Sequence, residues 1–364
     1  MNKKFLAISN YGDMIGGGEY SFLSFLKSLP TQWEPLAVVP NTGQLRLLLE
    51  EAGIQTSIIP FPPIRPWTIP RMIGCISLVA NLCKKTNPEL IYANGSRAAL
   101  YSCLAKPFHN KPVIFHCRIA EKDWKMDLIL TRMINLIICN SIATTKRFNK
   151  IHNNKIRIVY NGFELGRLRE PVKKSAPVGL DWKIILVVAR ISRQKRHDVA
   201  LDTFEKIADS LPNAHLILIG DKDRLDVEWW EYLQTKTRMS PFSKRIHWPG
   251  YQRDIRPWYR SASILFAPGE NEAFGRVIIE AMACGLPVIA TRGGGIPEIV
   301  RHGEDGILVQ PGDIDEMANA IENILINDEL RKGLAQSAIN RAEGFDLETH
   351  TEKMIKIFEQ TIKT

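Results

Sequence analysis

The stretch A-P-G-E-N-E-A-F-G-R-V-I-I-E-A-M-A-C-G-L-P-V-I-A-T-R-G-G-G-I-P-E-I-V, residues 267–300, decides the fold. The apolar run Ile264 to Ala267 reads as a buried strand, and Pro268 and Gly269 end it. Phe274, Val277, Ile278 and Ala281 then recur at helical spacing, with Gly285 as the stop. Val288 to Thr291 is the next strand. Three glycines, 293–295, lead into a second helix with Pro297 in its first turn.

The chemistry follows from those positions. A helix starting near Phe274 presents unpaired amides and a positive dipole end, which suit a phosphate oxygen. Gly275 allows a ligand close to the backbone, and the amides of Val277 and Ile278 belong to the same first turns. A carboxylate at Glu272, at this mouth, would repel phosphate and instead accept hydrogen bonds from sugar hydroxyls. Glu280 comes eight residues later, about 80° beyond two full turns and about 12 Å up the helix. The two carboxylates therefore cannot form a close acid–base pair, but they can hold two ends of an extended ligand.

The Glu-x7-Glu spacing, followed by A-M-A-C-G-L-P-V-I-A-T and G-G-G-I-P-E-I-V, resembles the retaining nucleotide-sugar glycosyltransferases of the GT-B fold, family 4. The resemblance is dense here and thins along the rest of the chain. It implies an α/β protein with two doubly wound Rossmann-like domains, a cleft between them, and a C-terminal helix crossing back to the first. The implied domains are an acceptor domain at 1–164, a linker at 165–182, a donor domain at 183–345 and the crossover helix at 346–364.

Length and composition agree with two soluble domains. The chain has 364 residues, 45% hydrophobic and 24% charged. Phe5 to Ile8 is too short for a signal-peptide core, and no run of apolar residues is long enough for a membrane span. Ile73 to Cys83, the longest candidate, reads as a buried helix. The six cysteines form no C-x-x-C pair and read as reduced core residues, so a cytoplasmic location is expected. Residues 1–165 carry 20 Lys+Arg against 10 Asp+Glu, while residues 166–364 carry 28 against 29. A basic first half suggests an anionic partner for that half alone. Nothing points to nucleic acid.

In the first half, the strand Phe5 to Ser9 runs into Gly16, Gly17 and Gly18 and then a helical pattern, the layout of a phosphate-binding turn. It is neither G-x-G-x-x-G nor a P-loop. The resemblance makes it the glycine loop that faces the donor diphosphate. Strands are expected at 36–39, 56–60, 90–94, 112–117, 136–140 and 156–160, and helices near 43–52, 70–86, 96–106, 125–135 and 141–150, a doubly wound alternation. Asn94, Ser96 and Arg97 fall at one strand end and His116 and Arg118 at another, where such sheets bind ligands. Asn94, Arg97 and Arg118 are assigned to the acceptor. A strand-end histidine is ordinarily structural; only the resemblance places His116 near the donor sugar. In F-P-P-I-R-P-W-T-I-P-R-M-I, 61–73, the prolines exclude a regular helix through residue 70. Trp67 among Arg65 and Arg71 suits a membrane interface or lipid-linked acceptor, or else packs on its own domain. The N-G of I-V-Y-N-G-F-E, 158–164, resembles the family's N-G-V-D segment, with Phe163 and Glu164 departing from it.

In the second half, the strand Lys183 to Arg190 leads into I-S-R-Q-K-R-H-D. Arg190 and Lys195 match part of the family's G-R-x4-K-G pattern; Ala189 and Arg196 replace its glycines. Two fixed cations at a strand end serve a diphosphate leaving group, while Arg193 and Arg196 read as a basic surface loop. Asp221-x-Asp223 resembles the metal motif of another glycosyltransferase fold but reads as a turn, so no metal and no cofactor are expected. Tyr251 lies near where the family holds the nucleobase. Helices are expected at about 313–326, 328–342 and 347–362.

The resemblance therefore implies retaining transfer from a UDP- or GDP-sugar to a glycan or lipid-linked acceptor in cell-surface polysaccharide or glycolipid synthesis. The enzyme would be cytoplasmic, peripheral on the inner face of an anionic membrane. Glu272, His116, Arg190 and Lys195 would be its catalytic set. An epimerase of the same fold, which would act on the donor alone, and a non-catalytic sugar-nucleotide-binding subunit are the alternatives.

Overall fold

A computed structural model describes residues 2–14, 16–148, 153–172, 175–222 and 226–363. The chain divides into two compact units, Met1–Phe163 with Asp346–Thr364, and Glu164–Phe345. The stretch 165–182, expected as a linker, is counted with the second unit and contains a short helix, Leu165–Arg169.

The first unit is built on a seven-stranded parallel sheet. Its strands are β1 (Lys3–Ser9), β2 (Trp33–Val39), β3 (Gln55–Ile58), β4 (Leu90–Asn94), β5 (Val113–Cys117), β6 (Leu136–Cys139) and β7 (Ile156–Ile158), in the order β3-β2-β1-β4-β5-β6-β7. Parallel strands need crossover helices on both faces, so the central strands are apolar throughout; β4 and β5 are buried along their whole length. The helices Ile69–Thr86, Ser96–His109 and Trp124–Met133 cover one face through Val79, Ala99 and Leu130. The helices Gly17–Lys27 and Gln44–Glu51 cover the other, joined by the C-terminal helix Leu347–Lys363. Met354, Ile357 and Phe358 of that last helix enter the first unit's core against Phe5, Phe25 and Trp33. Its amphipathic pattern therefore serves packing.

Three local expectations change. The helix after the proline-rich loop begins at Ile69, with Pro70 in its first two positions, where no intrahelical bond is lost. It is not a buried helix: Cys75, Val79, Ala80 and Cys83 face the core, while Ile73 and Leu78 are exposed. Of the helix expected at 141–150, the described residues form a short helix, Ile142–Thr145, and a 3₁₀ turn, Lys146–Phe148; 149 and 150 lie outside the described residues.

The second unit repeats the plan with six parallel strands. They are β8 (Lys183–Val188), β9 (Ala214–Ile219), β10 (Ile246–Gly250), β11 (Ile264–Ala267), β12 (Val288–Thr291) and β13 (Ile307–Val309), in the order β10-β9-β8-β11-β12-β13. The helices His197–Ile207, Val227–Met239 and Ile314–Ile326 pack on one face. In each sheet the winding direction reverses once, between β1 and β4 and between β8 and β11. Loops diverge outside the carboxyl ends of the strands at such a reversal, which leaves room there for a ligand.

Candidate functional site

The second unit's reversal point brings together two residues that the sequence assigned separately, Lys195 and Glu272. The loop after β8 forms a 3₁₀ turn, Arg193–Lys195, and the loop after β11 passes beside it; Glu270 N–H donates to the Gln194 carbonyl at 3.1 Å. Across this contact Lys195 Nζ is ion-paired with Glu272 Oε1, and each side chain is only about a fifth to a quarter exposed (24% and 22%). Partial burial strengthens such a pair over a surface one. Arg190 is exposed at the end of β8.

Neighbouring residues fix this loop. Arg196 adopts a left-handed φ of 51°, which explains why a glycine suits the position. Its guanidinium pairs with Glu270 and, at 3.2 Å, with Asp198. Arg196, expected as a surface charge, thus anchors the Glu272 loop. Arg193 is held away from it by Asp226 (3.0 Å) and stacks over Trp229. Gly294 closes the far side: its φ is 55°, and a Cβ there would lie 2.0 Å from the Glu272 carbonyl oxygen. The next residue's amide, Gly295 N–H, donates to that same carbonyl at 2.7 Å. Gly294→Ala is expected to lose roughly 1–3 kcal/mol of stability and to displace Glu272. Urea unfolding measures the first, and a wild-type midpoint in the mutant would contradict it.

The helix beyond is Arg276–Ala283, capped by Gly275 at φ 102°. It starts two residues later than expected. Phe274 and Ile278 are buried, Phe274 against Phe345, so only their backbone can meet a ligand; Val277 is half-buried. Glu280 is not near a free edge: the Tyr259 hydroxyl donates to its Oε2 and Arg276 to its Oε1, both at 3.1 Å. Burial, and then the Glu280 charge, drive the Tyr259 hydroxyl well above its ordinary pKa, so it stays a donor. Tyr251, just after β10, is exposed. Behind Lys195, His197 is fully buried; burial and then the Lys195 charge lower its imidazole to about 4.

Asp221 is exposed just beyond β9, its carboxylate accepting from the Lys222 amide at 2.9 Å. Asp223 falls outside the described residues, among which no cluster of three or more potential metal ligands occurs.

The first unit gathers a second polar cluster at its own reversal point. β4 and β5 pair Asn94 with His116. Arg118, just beyond β5, donates to Asn94 Oδ1 (2.9 Å), to Asn161 Oδ1 and to the Tyr92 hydroxyl (3.3 Å). His116 is fully buried, with Nδ1 2.8 Å from the Tyr92 hydroxyl and 3.3 Å from Arg118. Burial, then the Arg118 charge, hold it well below its ordinary pKa and hence neutral. Arg118 only donates, so its approach to Nδ1 favours the tautomer with the hydrogen on Nε2, and the Tyr92 hydroxyl fits either tautomer.

Two first-unit residues assigned from the sequence have partners within the protein. Gly17 and Gly18 open the helix Gly17–Lys27, and the Gly16 amide donates to Glu19 Oε2 (3.0 Å). Burial raises the Glu19 carboxyl above its usual range. Arg97 donates to the Phe61 carbonyl at 3.3 Å, at the start of the proline-rich loop. Asn161 and Tyr92, which sequence reasoning did not assign, complete the cluster. Asn161 lies in the N-G pair the sequence marked; Tyr92 reads only as a core aromatic.

Sequence comparison covers both units. The family model described as Glycosyltransferase Family 4 matches residues 15–167, and that described as Glycosyl transferases group 1 matches residues 169–341. The chain belongs to glycosyltransferase family 4. A D-inositol 3-phosphate glycosyltransferase of Corynebacterium jeikeium is 30% identical over 216 residues, 56% of this chain and 52% of that protein. The match thus spans about half the length of that relative. Sulfoquinovosyl transferase SQD2 of Arabidopsis thaliana is 29% identical over 79% of the chain and 59% of its own length. Among solved structures, Anabaena HepE in complex with UDP and glucose superposes with a TM-score of 0.85 at 23% identity, covering 98% of this chain and 100% of that one. A glycosyltransferase from Rickettsia africae gives 0.88 at 20%, covering 100% and 99%. These likenesses establish the family's GT-B fold.

Proposed function

We propose that the protein is a retaining glycosyltransferase that uses a nucleotide diphosphate sugar, UDP- or GDP-linked. The observation that carries this is the Lys195–Glu272 pair at the second sheet's reversal point, beside the Gly275-capped helix. Without ligand the two charges satisfy each other. A donor would exchange that pair for two new ones: Lys195, with Arg190, would meet the departing diphosphate, and Glu272 the sugar hydroxyls. The helix amides at 274–278 would add to the field on the leaving group, where fixed charges and dipoles act without reorganising. Glu280, held by Tyr259 and Arg276, is preset to accept from ribose hydroxyls, and Tyr251 can flank the base. No free carboxylate of the described cluster stands as a nucleophile. We therefore favour a front-face course, in which the leaving phosphate takes the acceptor proton. Neutral His116 would act as a hydrogen-bond donor through Nε2, and Asn94 and Arg118 would meet the acceptor. A transfer assay with labelled UDP- and GDP-sugars and lipid extracts tests the reading; a labelled product with the donor's anomeric configuration is expected, and inversion would contradict it.

Lys195 and Arg190 supply the charge that a metal supplies in other enzymes. The rate should therefore survive EDTA, and Asp221→Asn with Asp223→Asn together should retain it. Loss with EDTA and rescue by Mg²⁺ or Mn²⁺ would show that the D-K-D turn binds metal.

The acceptor is proposed to be a lipid-linked or membrane-bound glycan. Trp67 does not pack on its own unit: it is 73% exposed, with Arg65 over its ring. Trp124 is 71% exposed at the start of another helix on the same sheet face, with Lys125 over its ring. In a parallel sheet such helices begin at the strands' carboxyl ends, so both tryptophans rim the acceptor side. Leu128 and Ile129 continue the exposed apolar surface, and Arg132 is exposed beside them. Each Lys or Arg near an anionic surface contributes about 1 kcal/mol within a Debye length of about 8 Å, and interfacial tryptophan adds to it. No helix among the described residues is long and apolar enough to cross a membrane. The protein should sediment with anionic but not neutral vesicles, be released by high salt, and bind less after Arg65→Glu with Arg71→Glu. A protein left in the supernatant at low salt would indicate a soluble acceptor.

A further inference from the structure

The second unit holds a cavity outside the candidate donor site. It measures about 680 Å³, inside the range of roughly 300–1,000 Å³ typical of small-molecule sites. Lys183 opens β8, and Ser263 and Pro287 immediately precede β11 and β12, so the cavity lies at the amino ends of these strands. Lys195 and Glu272 follow β8 and β11 at the opposite ends. Four cations line the cavity, Lys183, Arg260, Arg331 and Lys332, against one acid, Asp328. Asp328 pairs with Arg331 at 2.9 Å. Lys183 Nζ donates to the Leu325 carbonyl at 2.7 Å, and Arg260 Nη2 to the Arg169 and Glu170 carbonyls at 2.6 and 2.8 Å. A carbonyl dipole holds a cationic head in place without cancelling its charge. Among the described residues no ion pair joins Lys183, Arg260 or the exposed Lys332 to a carboxylate, so three positive charges around one cavity lack a counter-ion.

Trp182 forms a further wall. Its indole lies flat on the His215 ring, centroids 3.7 Å apart and planes 7° from parallel, with His247 stacked at 4.9 Å. His215 Nδ1 and His247 Nε2 are 3.1 Å apart, a hydrogen bond that ties the two rings together under the indole. Neither histidine lines the cavity, so Trp182 stands between them and it. A fixed aromatic plate beside cations that lack a counter-ion is the complement of a planar ring carrying an anion. We propose that this cavity is a second ligand site, separate from the donor site, and that it takes a nucleoside phosphate. The base stacks on Trp182, and Lys183, Arg260 and Lys332 meet the phosphate. Tyr259 borders both sites, lining the cavity while its hydroxyl donates to Glu280 at 3.1 Å. A ligand's effect at one site must therefore be separated from its effect at the other. The cavity and its lining stand independently of the transferase reading.

The experiment is ¹⁹F NMR of the full chain labelled with 5-fluorotryptophan, the Trp182 signal being identified by its absence in Trp182→Phe. The probes are UMP, AMP and ribose 5-phosphate. Both nucleotides should shift the Trp182 signal saturably, with a Kd below about 1 mM. Ribose 5-phosphate has no base and should displace UMP only at roughly tenfold higher concentration, the loss of one base–aromatic stack. Arg331→Glu with Lys332→Glu reverses two charges of the lining and leaves the buried residues of their helix, Leu334 and Ala338, in place. That variant should weaken the nucleotide response at least about tenfold, the effect of losing a charge-assisted contact. Lys195→Ala, at the other end of the sheet, should leave the Trp182 titration as it is. A Trp182 signal unmoved at about 10 mM nucleotide would overturn the site, and ribose 5-phosphate as effective as UMP would overturn the stacked base. A response lost in Lys195→Ala and kept in the double variant would assign it to the donor site and overturn the second one. The wild-type titrations decide the matter even where the double variant does not fold, and none of them requires transfer activity.

Discussion

Lys195→Ala is expected to lower kcat by about 10²–10³, roughly 2.7–4 kcal/mol of barrier, the typical cost of removing one preorganised charge or donor at a developing anion. Glu272→Gln should lose as much by a different route, through sugar placement. The fold should survive both, because the pair lies at the loop ends of β8 and β11 and not in the apolar cluster formed by Ile185, Leu216 and Phe266. The side chains meet directly, so each single variant strands the other's charge, and the double variant should be less impaired than the sum of the two. Strict additivity, or near-normal turnover in either single variant with the correct donor, would remove the pair from the site.

The second large effect is acid lability. The imidazoles of His197 and His350 are lowered mainly by burial, to about 4 and about 3, and His116 well below its ordinary value. Below the unfolded pKa of about 6.5, the unfolded chain takes up protons that the folded chain refuses. Stability is then complete above pH 6.5 and falls as pH drops toward the folded values. Each such group contributes a slope of up to about 1.4 kcal/mol per pH unit. His197 and His350 together would lose roughly 4 kcal/mol between pH 7 and pH 5, a large part of an ordinary domain's stability. Glu19, whose carboxyl is raised by burial, works in the opposite sense. Urea midpoints at pH 7 and pH 5 measure the sum; equal midpoints would mean that these rings are solvated or protonated in the native protein.

The doubly wound fold was legible because each buried parallel strand is a short apolar run ended by glycine, proline or a polar residue, as at Ile264 to Gly269. The last three helices carry strong periodicity and lie where expected, at Ile314–Ile326, Asp328–Ala342 and Leu347–Lys363. Lys195 and Glu272 were legible as separate motif residues, but their pairing depends on a reversal point 77 residues apart in sequence. Arg196 was misread because nothing local shows that its backbone turns left-handed and aims its guanidinium at Glu270. His350 was read only as part of an amphipathic helix. Its distinction is the Tyr160 carbonyl 190 residues away. The prolines at 61–73 marked the loop correctly but hid the helix start, because a proline in the first turn costs nothing.

Donor binding tests the central claim most directly. Thermal unfolding of the wild type is followed with UDP-, GDP- and ADP-sugars, and repeated with Lys195→Ala and Glu272→Gln. A ligand at 100 times its Kd adds about 2.7 kcal/mol. One class of nucleotide sugar should raise the wild-type Tm, and the same ligand should raise that of the Lys195→Ala and Glu272→Gln variants far less. A wild-type Tm unmoved by every nucleotide sugar, or moved equally in all three proteins, would contradict the account.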